Sequence, residues 1–196
     1  MLSRICYGLK VFWADRAQLR AFTQDSRLQL AKVTDLQPEN LSENGILALA
    51  LDFDGVMAAH GEPAPAPEVV KWLAVFQQQY APNKIYILSN KPTPQRQAYF
   101  QLNFPHITFV VARRKKPYPD GLQQILQAAG IQPAQLLLVD DRLGTGIVAA
   151  ISCGVQARWI TAPRTNIAAR PVRESFFILL RWLERIILSA HTTTEE

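Results

Sequence analysis

From residue 46 onward, short apolar runs alternate with stretches of helical composition. The runs at 46–51, 84–88, 107–111 and 136–139 are rich in branched side chains and are expected as strands buried on both faces. A weaker fifth run lies at 157–160. Between them, 67–79 places Val69, Val70, Leu73 and Phe76 on one side, with Pro67 suited to a first helical turn. Segment 93–102 has Pro94 near its start, and 120–129 carries Leu122, Ile125 and Leu126 before a glycine stop at Gly130. A short, small-residue helix is expected at 145–152, stopping at Gly154. Strand and helix alternate at roughly 25–35 residues per unit, the size of a βαβ repeat. The expected fold is therefore α/β: a Rossmann-like, doubly wound, mainly parallel sheet with helices on both faces and right-handed crossovers.

The two ends of the chain break this rhythm. In the first forty residues Ala17, Leu19, Phe22, Leu28, Leu30 and Val33 are scattered without one clean period, so 1–45 reads as a helical or irregular extension packed on the core. The core itself is expected over 46–170, and 171–196 as an apolar helix with a frayed polar tail, all within one compact domain. Segment 174–188 (ESFFILLRWLERIIL) admits two readings. The favoured one is a core helix packed across the sheet. The other is an interfacial helix, with Phe176, Leu179 and Trp182 meeting lipid and Arg181 and Arg185 near head groups.

Composition narrows the function classes. The 196 residues are 48% hydrophobic and 19% charged, ordinary for a globular protein with a buried core. No run of about 18 apolar residues is present to span a bilayer, and the first twenty residues lack the apolar core of a secretory signal. Cys6 and Cys153 make neither a disulfide framework nor a metal-ligand spacing, so a cytoplasmic location is expected, possible contact with a membrane surface included. The net charge of +5 favours anionic partners. Basic residues are spread along the chain rather than gathered with aromatics, so nucleic acid is not an expected partner. The oligomeric state stays open.

Candidate chemistry sits at the ends of the apolar runs. Asp52 and Asp54 follow the first, Ser89-Asn90 the second, Lys115-Lys116-Pro117 the third and Asp140-Asp141 the fourth. Ligands of open α/β sheets lie outside the carboxyl ends of the strands, so four strands would deliver these groups to one crevice. A buried group of like-charged acids demands a cation, and Mg²⁺ takes a few carboxylates together with phosphate oxygen and water. Asp52 and one of Asp140 and Asp141 would hold it, with the Asp54 main-chain carbonyl as a further ligand. Lys116 would neutralise charge on a transferring phosphoryl group, and Ser89 with Asn90 and nearby N–H groups would bind its oxygens. Asp52 is then the nucleophile that forms an aspartyl-phosphate, and Asp54 the acid and base.

The ordered series Asp52-Phe53-Asp54-Gly55-Val56, Ser89-Asn90, Lys116-Pro117 and Asp140-Asp141 resembles the four motifs of the haloacid dehalogenase (HAD) superfamily, over about residues 46–160. Val33-Thr34-Asp35-Leu36 and Leu183-Glu184-Arg185-Ile186-Ile187-Leu188 resemble a narrower group, the subfamily IIIA, YqeG-type phosphatases related to phosphatidylglycerophosphate phosphatase. The resemblance implies a Rossmann-like fold, Mg²⁺ dependence, an Asp52 nucleophile and a phosphate monoester substrate, either a phospholipid or a small molecule. Two departures stand out. The narrower group usually has a second acid a few residues after its Gly-Asp-Gln; here that place is Gly146, while Asp140 adds an acid in front of Asp141. It also often has Asn-Thr where this chain has Gly55-Val56. The short stretches at 57–67 and 91–114 leave no room for a large cap domain.

Gly144-Thr145-Gly146 mimics part of a dinucleotide fingerprint, but it lies late in the chain and no acid follows at the required distance. His60, His106 and His191 are far apart and are expected at surface or loop positions; Arg142 and Thr145 lie close enough to the motifs to touch substrate. A receiver-like phosphoacceptor uses similar groups, but with an adjacent acidic pair first and the lysine last, which is not the order here. A non-catalytic module that binds membrane or a partner is the third alternative, and the complete set of acids argues against it.

Overall fold

The computed structural model describes residues 2–80 and 84–189. Six strands form one sheet: β1 (Gln29–Leu30), β2 (Ala48–Leu51), β3 (Ile85–Leu88), β4 (Thr108–Val110), β5 (Leu136–Asp140) and β6 (Gln156–Ile160). Their order is β1-β6-β5-β2-β3-β4, and every neighbouring pair is parallel. The expected fold is therefore the observed one, an open, Rossmann-like, doubly wound parallel sheet with helices on both faces and, among the described residues, no large cap.

Strand alternation explains the two covered faces. In β2, Leu49 and Leu51 point to one core and Ala48 and Ala50 to the other; in β5, Leu137 and Val139 oppose Leu136 and Leu138 in the same way. The first core is closed by α3 (Pro38–Glu43), α4 (Pro67–Gln79) and α5 (Pro94–Asn103), through Leu41, Leu73, Phe76 and Phe100. The second is closed by α1 (Leu2–Ala14), α2 (Arg16–Gln24), α6 (Asp120–Ala129) and α7 (Val148–Ile151), through Phe12, Phe22, Leu122 and Val148. Gly130 ends α6 in the left-handed conformation at φ 64°, as its position after the apolar period predicted. Among the described residues no helix is long and apolar enough to cross a membrane.

The differences from expectation are local. The strand expected from 46 begins at Ala48, because Ile46 turns into the core from a loop. The preamble contains two successive helices and a two-residue edge strand beside β6. The helix expected at 145–152 starts as a π-turn over Leu143–Ile147 and continues as α7. The largest correction concerns α8 (Pro171–Ser189): its buried residues are Glu174, Arg181 and Leu188, whereas Val172, Phe176, Leu179 and Trp182 are exposed. The favoured reading of this segment as an apolar core helix is overturned, because charged side chains occupy its inner edge. The polar tail and His191 lie outside the described residues.

Candidate active site

The register of the two central strands sets the site. Leu51 pairs with Val139, and the Asp52 N–H donates to the Val139 carbonyl at 2.9 Å, so Asp52 emerges beside Asp140, the last residue of β5. This is the point where the strand order reverses, with β3 and β4 on one side and β6 and β1 on the other. Lys116, from the loop after β4, reaches in between: its Nζ donates to Asp52 Oδ1 at 2.8 Å and to Asp140 Oδ2 at 2.5 Å. The Arg142 N–H donates to Asp140 Oδ1 at 2.9 Å. Asp141 Oδ2 accepts from Arg181 Nη1 at 2.5 Å, and Asp141 Oδ1 is buried without a hydrogen-bond partner.

Two glycines are required by these carboxylates. Gly55, at φ 86°, lies against the Asp141 carboxylate, where a Cβ would collide with it. Gly146 lies against Asp140 in the same manner. Asp140 thus fills the space that a side chain at 146 would need.

Ser89 and Asn90 follow β3, as predicted. The Ser89 Oγ accepts from the Lys91 N–H at 3.0 Å, which leaves its hydroxyl hydrogen for another acceptor. The Asn90 amide donates to the Lys116 carbonyl at 3.3 Å, and Arg4 Nε donates to the same oxygen at 2.8 Å, so both steady the lysine backbone. Asp54 stands apart from the cluster of Asp52, Asp140 and Asp141. Arg96 holds both of its oxygens, at 2.8 and 2.7 Å, and the Gly61 N–H donates to Oδ1 at 2.9 Å. Thr93 caps α5 by accepting from the Arg96 N–H, and the Arg96 guanidinium lies 3.9 Å over the Phe53 ring.

Electrostatics follow from this packing. Burial pushes the Asp52 carboxyl well above its usual range; Lys116 opposes the shift, while Asp140, Asp141 and Asp54 add to it. Burial and the neighbouring Asp140 push Asp141 up to about 7 against the pull of Arg181. Burial opposes the charge on Lys116, but Asp140 and Asp52 outweigh it and hold the ammonium protonated. For Asp54, burial acts upward, yet the Arg96 fork and the Gly61 N–H prevail and hold it below the carboxylate range. Asp54 is therefore held as a carboxylate by Arg96.

The cluster fits a divalent cation. One oxygen from each of Asp52, Asp140 and Asp141 lies within 4.8 Å of the others, and all three residues are buried. The three carboxylates converge on Lys116 and Arg181, and the burial that opposes their ionisation is what a bound cation would offset. The partnerless Asp141 Oδ1 is the oxygen most in need of a ligand.

A cleft of about 230 Å³ opens over the cluster. Its lining includes Asp52, Asp54, Asn90, Lys116, Asp141 and the expected neighbours Arg142 and Thr145. Arg4, Lys91, Lys115 and Arg173 also line it. His60 lines it too, from a loop as expected but buried: it stacks on Phe177 at 3.8 Å, and burial depresses its imidazole to about 4. Glu184 of α8 holds Arg142 through Nε at 3.1 Å and Nη2 at 2.6 Å.

A profile of haloacid dehalogenase-like hydrolases matches residues 5–154. The chain belongs to that family. No match emerges among curated proteins. Among solved structures, this HAD-like hydrolase is similar to a subfamily IA hydrolase from Geobacter sulfurreducens, at 18% identity over 57% of this chain and 88% of that one, with TM-score 0.43. It is also similar to a haloacid dehalogenase-like protein from Streptococcus pneumoniae (14% identity, 63% and 89% covered, TM-score 0.41). NagD from E. coli K-12 aligns at 10% identity over 63% and 91%, with TM-score 0.42.

Proposed function

We propose that this HAD-like hydrolase is a Mg²⁺-dependent phosphatase that cleaves phosphate monoesters through Asp52. The observation that carries the reading is Lys116 bridging Asp52 and Asp140 at the ends of adjacent central strands, beneath a cleft walled by Arg4, Lys91, Lys115, Arg142 and Arg173. A phosphate dianion repels nucleophiles, so the cationic wall and Lys116 first neutralise and orient it. Asp52 then attacks phosphorus; a bond from its carboxylate oxygen to phosphorus forms as the ester oxygen departs and takes a proton. Water attacks the aspartyl-phosphate in a second step, releasing phosphate and restoring the carboxylate. The Ser89 hydroxyl, which accepts from Lys91 and so has its hydrogen to give, bonds an equatorial oxygen. Asp54, released from Arg96, serves as the acid and base. Asp52, Asp140 and Asp141, with the Asp54 main-chain carbonyl, are the residues to hold Mg²⁺, which when bound supplies positive charge against the phosphate oxygens.

The resemblance to the YqeG-type group makes phosphatidylglycerophosphate one candidate substrate and a soluble monoester the other. A substrate panel with Mg²⁺ or EDTA, run on wild type and Asp52→Asn, tests the reading. Turnover is expected with Mg²⁺ only, and the variant is expected to lose at least about a thousandfold in kcat while keeping its fold. Retained turnover in Asp52→Asn would refute the nucleophile.

A further inference from the structure

We propose that the outer faces of α1 and α8 form a docking surface for an anionic lipid bilayer, with the cleft opening beside it. The inference goes beyond the phosphatase reading and does not depend on it. On α8 the solvent side carries Val172, Phe176, Leu179 and Trp182 at 85, 55, 51 and 54% exposure. On α1, Ile5, Leu9 and Trp13 recur every fourth residue and are also exposed, which aligns them in one stripe. Both helices rest on the same turn, since Gly144 lies against Phe12 of α1 and Glu184 of α8. Scattered exposed apolar residues are ordinary; two such stripes beside one turn mark an interaction surface.

Charge decides the occupant. α1 contains no acidic residue, and the two acids of α8 are spent inward: Glu174 is buried and Glu184 is paired with Arg142. The exposed charges of the two helices are Lys10, Arg173 and Arg185, and Arg113 and Lys115 lie in the loop beside α1, where Arg4 and Tyr7 hold Lys116 and Tyr118. An apolar face ringed by cations suits anionic head groups over acyl chains. A second copy of the chain would bring like charges face to face. Docking also gives the cleft an orientation, because Arg4 of α1 and Arg173 and Phe177 of α8 line its wall.

The test is co-sedimentation of the full chain with vesicles of phosphatidylcholine alone, or with about one third phosphatidylglycerol. Wild type is expected to bind the mixed vesicles at least about tenfold more tightly than the neutral ones, with the gain lost in about 0.5 M NaCl. Val172→Ser/Leu179→Ser/Trp182→Ser should lose binding about tenfold while hydrolysing a soluble ester as wild type does. Lys10→Glu/Arg113→Glu should lose the preference for anionic vesicles; it leaves the apolar stripes intact and so decides the matter if the triple variant misfolds. Equal binding to both vesicles, no binding, or a dimer in light scattering that the triple variant splits would overturn the proposal. Since sedimentation reads no turnover, its failure leaves the Asp52 reading standing, and an inactive enzyme leaves docking standing.

Discussion

Helices α4 and α8 lie on the same protein and turn opposite materials inward. α4 buries Val69, Leu73 and Phe76 at helical spacing and sends Gln78 and Gln79 toward solvent. α8 buries Glu174 and Arg181 and leaves most of its apolar residues outside. The first helix acts through area removed from water, which is non-directional. The second acts through named partners: Arg181 on Asp141, Glu184 on Arg142, and Glu174 accepting the N–H groups of His60 and Asn166 at 3.0 and 3.1 Å. One helix supports the sheet that carries the site, and the other reaches the site itself.

The contrast can be broken by substitution. Phe76→Ala should cost about 3–5 kcal/mol in urea denaturation, since it removes a ring from a packed core, with no change in cation affinity. Arg181→Gln should cost less, about 2 kcal/mol, for loss of a charged hydrogen bond. It should also enlarge the thermal shift produced by Mg²⁺ or Mn²⁺, because Asp141 then has no competing cation. An unchanged shift would mean that α8 is only a cover. The smallest effect is expected from pH. Below about 6.5 an unfolded histidine takes a proton, whereas buried His60 stays neutral until about 4, so the contribution of His60 to stability falls as pH drops through that window. Between pH 7 and 5.5 this amounts to about 1 kcal/mol. Asp141, held up to about 7, takes its proton in the same window and acts in the opposite direction, so the quantity to read is a difference: the change in stability from pH 7 to 5.5 should be about 1 kcal/mol more favourable in His60→Gln than in wild type.

The legible parts of the molecule were those with a local signature. β2, β3 and β5 are short buried runs, and Asp52, Asp140, Asp141 and Lys116, which end or follow the strands, meet because parallel strands end on one side. Arg96 and Arg181 were not legible: they find Asp54 and Asp141 from 42 and 40 residues away, and charge pairs at that distance leave no period. For α8 the helix was evident and its orientation was not, since apolar residues surround most of its circumference. A signal existed in Glu174, Arg181 and Leu188, which recur every seventh position and so share a side. β1 is two residues long, too short for any alternation to register.

The close approach of Asp140 to Gly146 ties the two positions together. Gly146→Asp alone would force a carboxylate into occupied space, and Asp140→Gly alone would strip Lys116 of a partner. Neither half-step is a comfortable intermediate, so descendants of this chain should keep or change the two positions together. Because the carboxylate grows from the hydrogen-bonded end of β5, its direction is inherited from the sheet and not from a pliable loop.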